Sequence, residues 1–160
     1  MASTAAWTVC EAAAEDLPRI MPVMQAAFDP QYGEAWTLAQ CEAVFALAGC
    51  RLALVEADGI AAGFALTRSV IDETELLLLA VHPRFQGRGI GEALLRDAIE
   101  HSRNAGTARI FLEVRQSNNA VHFYEQIGFT RTGIRRDYYR SRNGQSFDAL
   151  TFSMSAQDIK

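Results

Sequence analysis

Residues 74–106, TELLLLAVHPRFQGRGIGEALLRDAIEHSRNAG, restrict the fold more than any other stretch of the chain. A continuous apolar run over 74–81 is the pattern of a strand covered on both faces. It enters a loop with glycines at 87, 89 and 91, and then an amphipathic helix over 89–104. On that helix Ile90, Leu94, Leu95, Ala98 and Ile99 share one face, and Arg96, Asp97, Glu100 and Arg103 lie on the other. Gly106 is the expected stop. The loop is either a tight turn alone or a cradle for an anion. The first amides of a helix have no internal partner and sit at the positive end of its dipole, so a phosphate suits them. Glycines permit positive φ and a close approach of backbone to ligand. The spacing is G-x-G-x-G with no lysine, which is neither the P-loop nor the dinucleotide fingerprint.

The remaining elements read around this block. Residues 7–12 predict a short strand. Residues 14–28 predict a helix with Asp16 as cap and Pro18 in its first turn. Residues 29–36, DPQYGEAW, read as a loop. Residues 37–49 predict a second helix, capped by Thr37 and closed by Gly49. Residues 51–70 read as two strands about an Asp58-Gly59 turn. Past the glycine helix, 108–114 is a further buried strand. A short helix then runs to about Ile127, closed by Gly128, and two strands joined through Asn143-Gly144 complete the chain. The order β-α-α-β-β-β-α-β-α-β-β predicts one α/β domain over residues 1–160 on a mixed sheet.

Composition removes several function classes. The formal net charge is -4, against the basic face that phosphate-driven nucleic-acid binding requires. Cys10, Cys41 and Cys50 form no C-x-x-C pair and fit reduced thiols in a cytoplasm. With His82, His101 and His122 they offer no metal-ligand spacing. The start of the chain lacks the pattern of a signal peptide, and no apolar run is long enough to span a membrane.

Two side chains stand out as chemistry-bearing. Glu113 in RIFLEVR reads as the one carboxylate inside an apolar strand. Burial there would raise its pKa toward that of a general base; the alternative is a strand-end glutamate paired with an arginine such as Arg115. Tyr124 in HFYEQIGF is either a proton donor or an aromatic packed beside Phe123 and Phe129. The arginines 131, 135, 136, 140 and 142 read as a solvated strand and turn.

The pattern Gln86-x-x-Gly89-x-Gly91 between LLLLAVHPRF and EALL, together with NNAVHFYEQIGF, resembles the acyl-coenzyme A motif and the downstream signature of the GNAT N-acetyltransferase superfamily. LEVRQSNNAVHFYEQIGFTRTGIRRDYY, with Ile71-Asp72-Glu73, resembles the bacterial ribosomal-protein-alanine N-acetyltransferase family (RimI type). The resemblance implies an α/β GNAT fold with a central mixed, mostly antiparallel sheet flanked by helices. It implies acetyl-CoA as cofactor, without a metal. The diphosphate would lie on the amides of Gly87, Arg88, Gly89, Ile90, Gly91 and Glu92, with Gln86 also at the coenzyme, and the pantetheine arm along Leu79, Ala80 and Val81. Glu113 would be the base and Tyr124 the acid, with Asn118 on the coenzyme. Asn119 is the alternative, because the segment from Arg115 to Tyr124 is one residue shorter than in that family. Trp36 and Tyr138 would contact the acceptor, and strand alternation allows only one of Tyr138 and Tyr139 to face it.

No cysteine lies in these segments, so direct attack in a ternary complex is expected, with a backbone N–H near Val81 polarising the thioester carbonyl. The acceptor implied is a protein or peptide N-terminus, a ribosomal protein first. At pH 7 about a tenth of an α-amine is neutral, against well under about a thousandth of lysine, which favours the former for one modest base. Two alternatives remain at this level: a small-molecule amine as acceptor, which the unusual 29–37 segment would permit, and a non-catalytic acyl-CoA sensor. Nucleic-acid and membrane partners are not expected, and the chain is read as a monomer or weak dimer.

Overall fold

The structure, a computed structural model, describes residues 7–155. Its elements are β1 (Cys10–Ala12), α1 (Leu17–Ala27), α2 (Leu38–Phe45), β2 (Cys50–Ala57), β3 (Ile60–Val70), β4 (Glu73–Val81), α3 (Ile90–Asn104), β5 (Arg109–Arg115), α4 (Ala120–Ile127), β6 (Thr130–Arg140) and β7 (Ser146–Ser155). The strands form one sheet in the order β1-β2-β3-β4-β5-β7-β6. Only β4 and β5 run parallel; every other neighbour pair is antiparallel. The expected order of elements is the one found, and the Asp58-Gly59 turn has both residues at positive φ, as a two-residue hairpin requires.

Two helix ends differ from expectation. Asp16 does not cap α1, because the chain enters that helix through a 3-10 turn over Ala14–Asp16 and Asp16 is already helical. Its carboxylate instead accepts from the Ala13 N–H at 2.9 Å and closes the turn backward. Thr37 does cap α2, in a reciprocal box with Gln40. That helix stops at Phe45 rather than at Gly49. Gly49 belongs to the strand entry: its carbonyl accepts from Ser69 N–H at 2.9 Å, and a Cβ on it would lie 2.1 Å from the Ser69 oxygen.

Each face of the sheet carries its own core. Leu17, Ile20, Val23, Met24 and Cys41 of α1 and α2 pack on Leu52, Leu54, Phe64, Leu66, Leu78 and Ala80. On the opposite face, the predicted apolar stripe of α3 packs with Tyr124 of α4 on Ala53, Val55, Leu76, Ile110, Leu112 and Phe152. Each fully buried leucine here contributes about 1.5–3 kcal/mol over an exposed one. Gly63 lets α3 approach closely, since a Cβ there would meet Ile90 Cγ2 at 2.9 Å.

The β4–β5 pair opens the site. Its start is clasped: the Asp72 carbonyl accepts from Ala108 N–H at 2.6 Å, and Arg109 pairs with Glu73 at 3.0 Å. The strands then stay in register only from Glu73↔Arg109 to Glu75↔Phe111. On its other edge β4 remains paired with β3 as far as Val81↔Gly63. Leu66 faces Leu78 while Thr67 faces Leu76, so Leu77 is an inserted residue. Consecutive Leu77 and Leu78 accordingly both pack toward α1, whereas Leu76 packs toward α3. Such a bulge bends and twists its strand, and it stands where β4 leaves β5.

Candidate active site

The divergence leaves a cleft of about 760 Å³ between the open edge of β4, the end of β5, the start of α4 and the segment joining α1 to α2. The direction of the exposed peptide groups follows from their partners. His82 N–H donates to Ala62 O at 2.8 Å, on the β3 side. The two groups of a trans peptide point oppositely, so the Val81 carbonyl faces the cleft. It accepts there from Gln86 Nε2 at 3.2 Å. Alternation along the strand turns the amides of Val81 and Leu79 to the same side and those of Ala80 toward β3. The cleft therefore presents a short row of free strand-edge groups, of the kind an extended amide arm adds to.

The glycine loop continues from Gln86. Gly87 and Gly89 have φ of +77° and +85°, and a Cβ on either would point into open space. Among the described residues, no amide from Gly87 to Glu92 donates a backbone hydrogen bond; the first such donor is Ala93, to Gly89 O at 3.0 Å. Six successive N–H groups at the start of a fifteen-residue helix are thus unpartnered. A diphosphate fits that donor set. Arg84 and Arg88 flank the loop, each with its guanidinium over the Phe85 ring.

Glu113 lines the cleft from β5 and pairs with Arg135 Nε at 2.9 Å, not with Arg115. Arg115 pairs with Glu34 at 3.4 Å and with the Ser117 hydroxyl, and its guanidinium lies 3.4 Å from the centre of the Tyr32 ring. Tyr32 in turn meets Phe147 edge-on at 5.6 Å, and Arg142 N–H donates to Gln31 O at 2.9 Å. These contacts fasten the 29–36 segment across the cleft as a wall. Glu34, the half-buried partner of Arg115 and 81 residues away, carried no sequence signal.

Glu113 is also not the only carboxylate inside an apolar strand. Glu75 lies within β4, in the last registered pair opposite Phe111, and its pKa is raised by burial and then by the charge of Glu113, with Arg135 and Arg68 acting the other way. For an acid whose folded pKa is raised, the ionised form costs stability. That cost is absent below the unfolded value and grows as pH rises through the folded one. Glu75→Gln is therefore expected to raise Tm at pH 7 and to leave it unchanged below pH 4.5, the ordinary value of the group; thermal melts at the two pH values check this.

Tyr124 is buried on α4 and lines the cleft. Its ring meets Phe123 at 5.4 Å and Phe129 edge-on at 6.0 Å, so the packing reading is satisfied as well. Burial pushes the phenol well above its usual pKa. Asn118 and Asn119 both line the cleft. The Asn118 side-chain oxygen accepts from Ala120 N–H at 2.8 Å, which fixes that side chain as the cap of α4 and leaves its NH2 group available. Asn119 makes no side-chain cap bond.

Trp36 lines the cleft on the α1–α2 side; Tyr138 does not line it, and Tyr139 does. Tyr138 is 48% exposed. The alternation rule fails locally because the β6–β7 register breaks between Arg135 and Tyr139, with Asp137 at a φ of 54°. The two adjacent rings stack at 5.2 Å instead of pointing apart. Tyr139 has its pKa pushed up to about 12, by burial first and then by the charges of Glu34, Glu113 and Tyr138. The cleft thus collects two carboxylates, Glu34 and Glu113, with the half-buried phenol of Tyr139 and the buried phenol of Tyr124.

Residues 17–129 match the model of the Acetyltransferase (GNAT) family. The ribosomal protein bS18-alanine N-acetyltransferase of Escherichia coli (strain K12) is 41% identical over 98 residues, which cover 61% of this chain and 66% of that protein. The match thus spans just under two thirds of that curated relative's length. The crystal structure of the ribosomal-protein-S18-alanine N-acetyltransferase from Escherichia coli superposes with a TM-score of 0.81 at 31% identity, covering 96% of this chain and 98% of that one. A phosphinothricin acetyltransferase from Sinorhizobium meliloti, solved in complex with AcCoA, superposes with a TM-score of 0.79 at 16% identity over 94% of this chain and 88% of that one. At that identity the likeness is one of fold.

Proposed function

The chain belongs to the acetyltransferase (GNAT) family, and we propose that it transfers the acetyl group of acetyl-CoA to the α-amine of a protein N-terminus, an alanine of a ribosomal protein in the first instance. The observation that carries this reading is the meeting of two unpartnered backbone surfaces, the amides of the glycine loop and the open edge of β4, at a cleft that Glu113 and Tyr124 both line. The similarity to the Escherichia coli enzyme supports the choice of acceptor.

The chain's own groups divide the work as follows. Acetyl-CoA supplies the activated acyl carbon. The loop amides of Gly87 to Glu92 hold the diphosphate, and the edge of Leu79 and Val81 aligns the pantetheine arm. The Val81 N–H stabilises negative charge on the thioester oxygen as the amine attacks. Glu113 takes the proton that the amine must lose, directly or through one water. Tyr124 gives its proton to the departing sulfur. Glu34, Glu113 and the Tyr139 hydroxyl surround the acceptor's nitrogen, which arrives mostly as a cation. Trp36 and Tyr139 flank the peptide. The unpaired thiols of Cys10, Cys41 and Cys50 accord with a cytoplasmic enzyme.

Acetyl transfer followed by mass spectrometry tests the reading. The acceptors are a ribosomal-type peptide beginning with alanine, the same peptide N-terminally blocked but carrying lysine, and a pool of small amines. Mass gain on the free-terminus peptide alone is the expected result. Gain on small amines alone would replace the acceptor class, and binding of coenzyme A without turnover of any acceptor would favour a sensor.

A further inference from the structure

The glycine loop has a contact that no part of the catalytic reading uses. Trp7, just ahead of β1, donates its indole Nε1–H to the Arg88 carbonyl at 2.7 Å, across 81 residues of sequence. The indole body packs against the α3-side core, so the ring is held while its N–H reaches the loop. Resting on the reading of this loop as the diphosphate site, we propose that Trp7 is a positioning residue that sets the loop amides for coenzyme A.

The Arg88–Gly89 peptide is trans, so fixing its carbonyl on Trp7 fixes the Gly89 N–H in the opposite direction, away from the indole. Gly89 sits at φ +85° and its neighbour Gly87 at +77°, both with open space around them. Glycines rotate their peptide planes at little cost, so a loop built from them needs an external restraint to hold one orientation. Trp7 supplies it. The same bond has a second consequence. In a helix continued backward, the Arg88 carbonyl would take the Glu92 N–H. With that carbonyl engaged by the indole, Glu92 N–H joins the unpartnered set facing the ligand. A preorganised anion site binds more tightly because the ordering cost is met before the ligand arrives.

The test compares two ligands in two variants. Coenzyme A carries the diphosphate; S-acetylpantetheine carries the arm but neither the diphosphate nor the nucleotide. Binding of each is followed by amide NMR titration, which tolerates weak ligands. Trp7→Phe keeps an aromatic body and removes the donor. It is expected to raise the Kd for coenzyme A by about threefold to tenfold, the worth of one hydrogen bond, and to leave that for S-acetylpantetheine unchanged. Equal losses for both ligands would mean general damage to the fold and would overturn the proposal, as would an unchanged Kd for coenzyme A. Gly89→Ala separates this from the loop reading. If it leaves coenzyme A binding intact, the diphosphate site itself is misassigned and the Trp7 role falls with it. If it weakens coenzyme A alone while Trp7→Phe does not, the loop reading stands and only the Trp7 role is lost.

Discussion

Tyr124→Phe is expected to lower kcat for peptide acetylation by about 10²–10³-fold and to leave the KM for acetyl-CoA within about twofold, the signature of a proton donor used only in the transition state. The packing of the ring makes the substitution clean. The ring contacts with Phe123 and Phe129 are aromatic and survive in phenylalanine. Among the described residues the hydroxyl makes no hydrogen bond, so its removal strands no partner. Burial raises the phenol's pKa, which keeps the proton on the oxygen throughout the working range. The loss on removing it is therefore expected to be the same at pH 7 and at pH 9. Steady-state kinetics at both pH values measure this. A variant that keeps about a third or more of the wild-type kcat would remove Tyr124 from the acid role.

The parts of this site that were legible in the sequence share a physical cause. The α3 stripe, the continuous apolar β4 and the glycines between them are local patterns, set by helix and strand periods and by the φ that glycine allows. Glu113 and Tyr124 were legible because their polar groups interrupt apolar surroundings. What escaped was set by contacts between distant segments or by broken periods. Leu77 interrupts the alternation of β4 invisibly, since four consecutive leucines read the same in any register. Glu75 stands near the start of that run, and its burial follows from how β4 packs against its neighbours, which no local pattern carries. The choice between Tyr138 and Tyr139 followed from the local break at Asp137, which a period-two rule cannot anticipate. The 29–36 segment read as a bare loop. Its role as a wall depends on Tyr32 and Glu34 meeting Arg115, a pairing visible only in three dimensions.

Glu113→Gln should produce the other large effect, with a pH dependence that Tyr124→Phe lacks. At pH 7 kcat/KM for a free-terminus peptide is expected to fall by about 10²–10³-fold. Arg135 loses its ion-pair partner, but its side chain is 64% exposed, so the fold loses little. The deficit is expected to shrink as pH rises past about 8, because an α-amine then arrives neutral and needs no base to lose its proton before attack. For a lysine acceptor the deficit would persist to about pH 10, so the pH at which wild type and variant converge reports the class of amine as well as the role of the residue. Glu75 complicates the profile in a definite way. Its pKa is held up partly by the charge of Glu113, so it ionises more readily in the variant and becomes a second substitute base after Glu34, which lines the cleft. The double variant Glu75→Gln, Glu113→Gln is therefore expected to lose more than the single one at pH 7 and to converge on it above about pH 8. A Glu113→Gln deficit that stays flat from pH 7 to pH 9 on an alanine-terminal peptide would exclude Glu113 as the base.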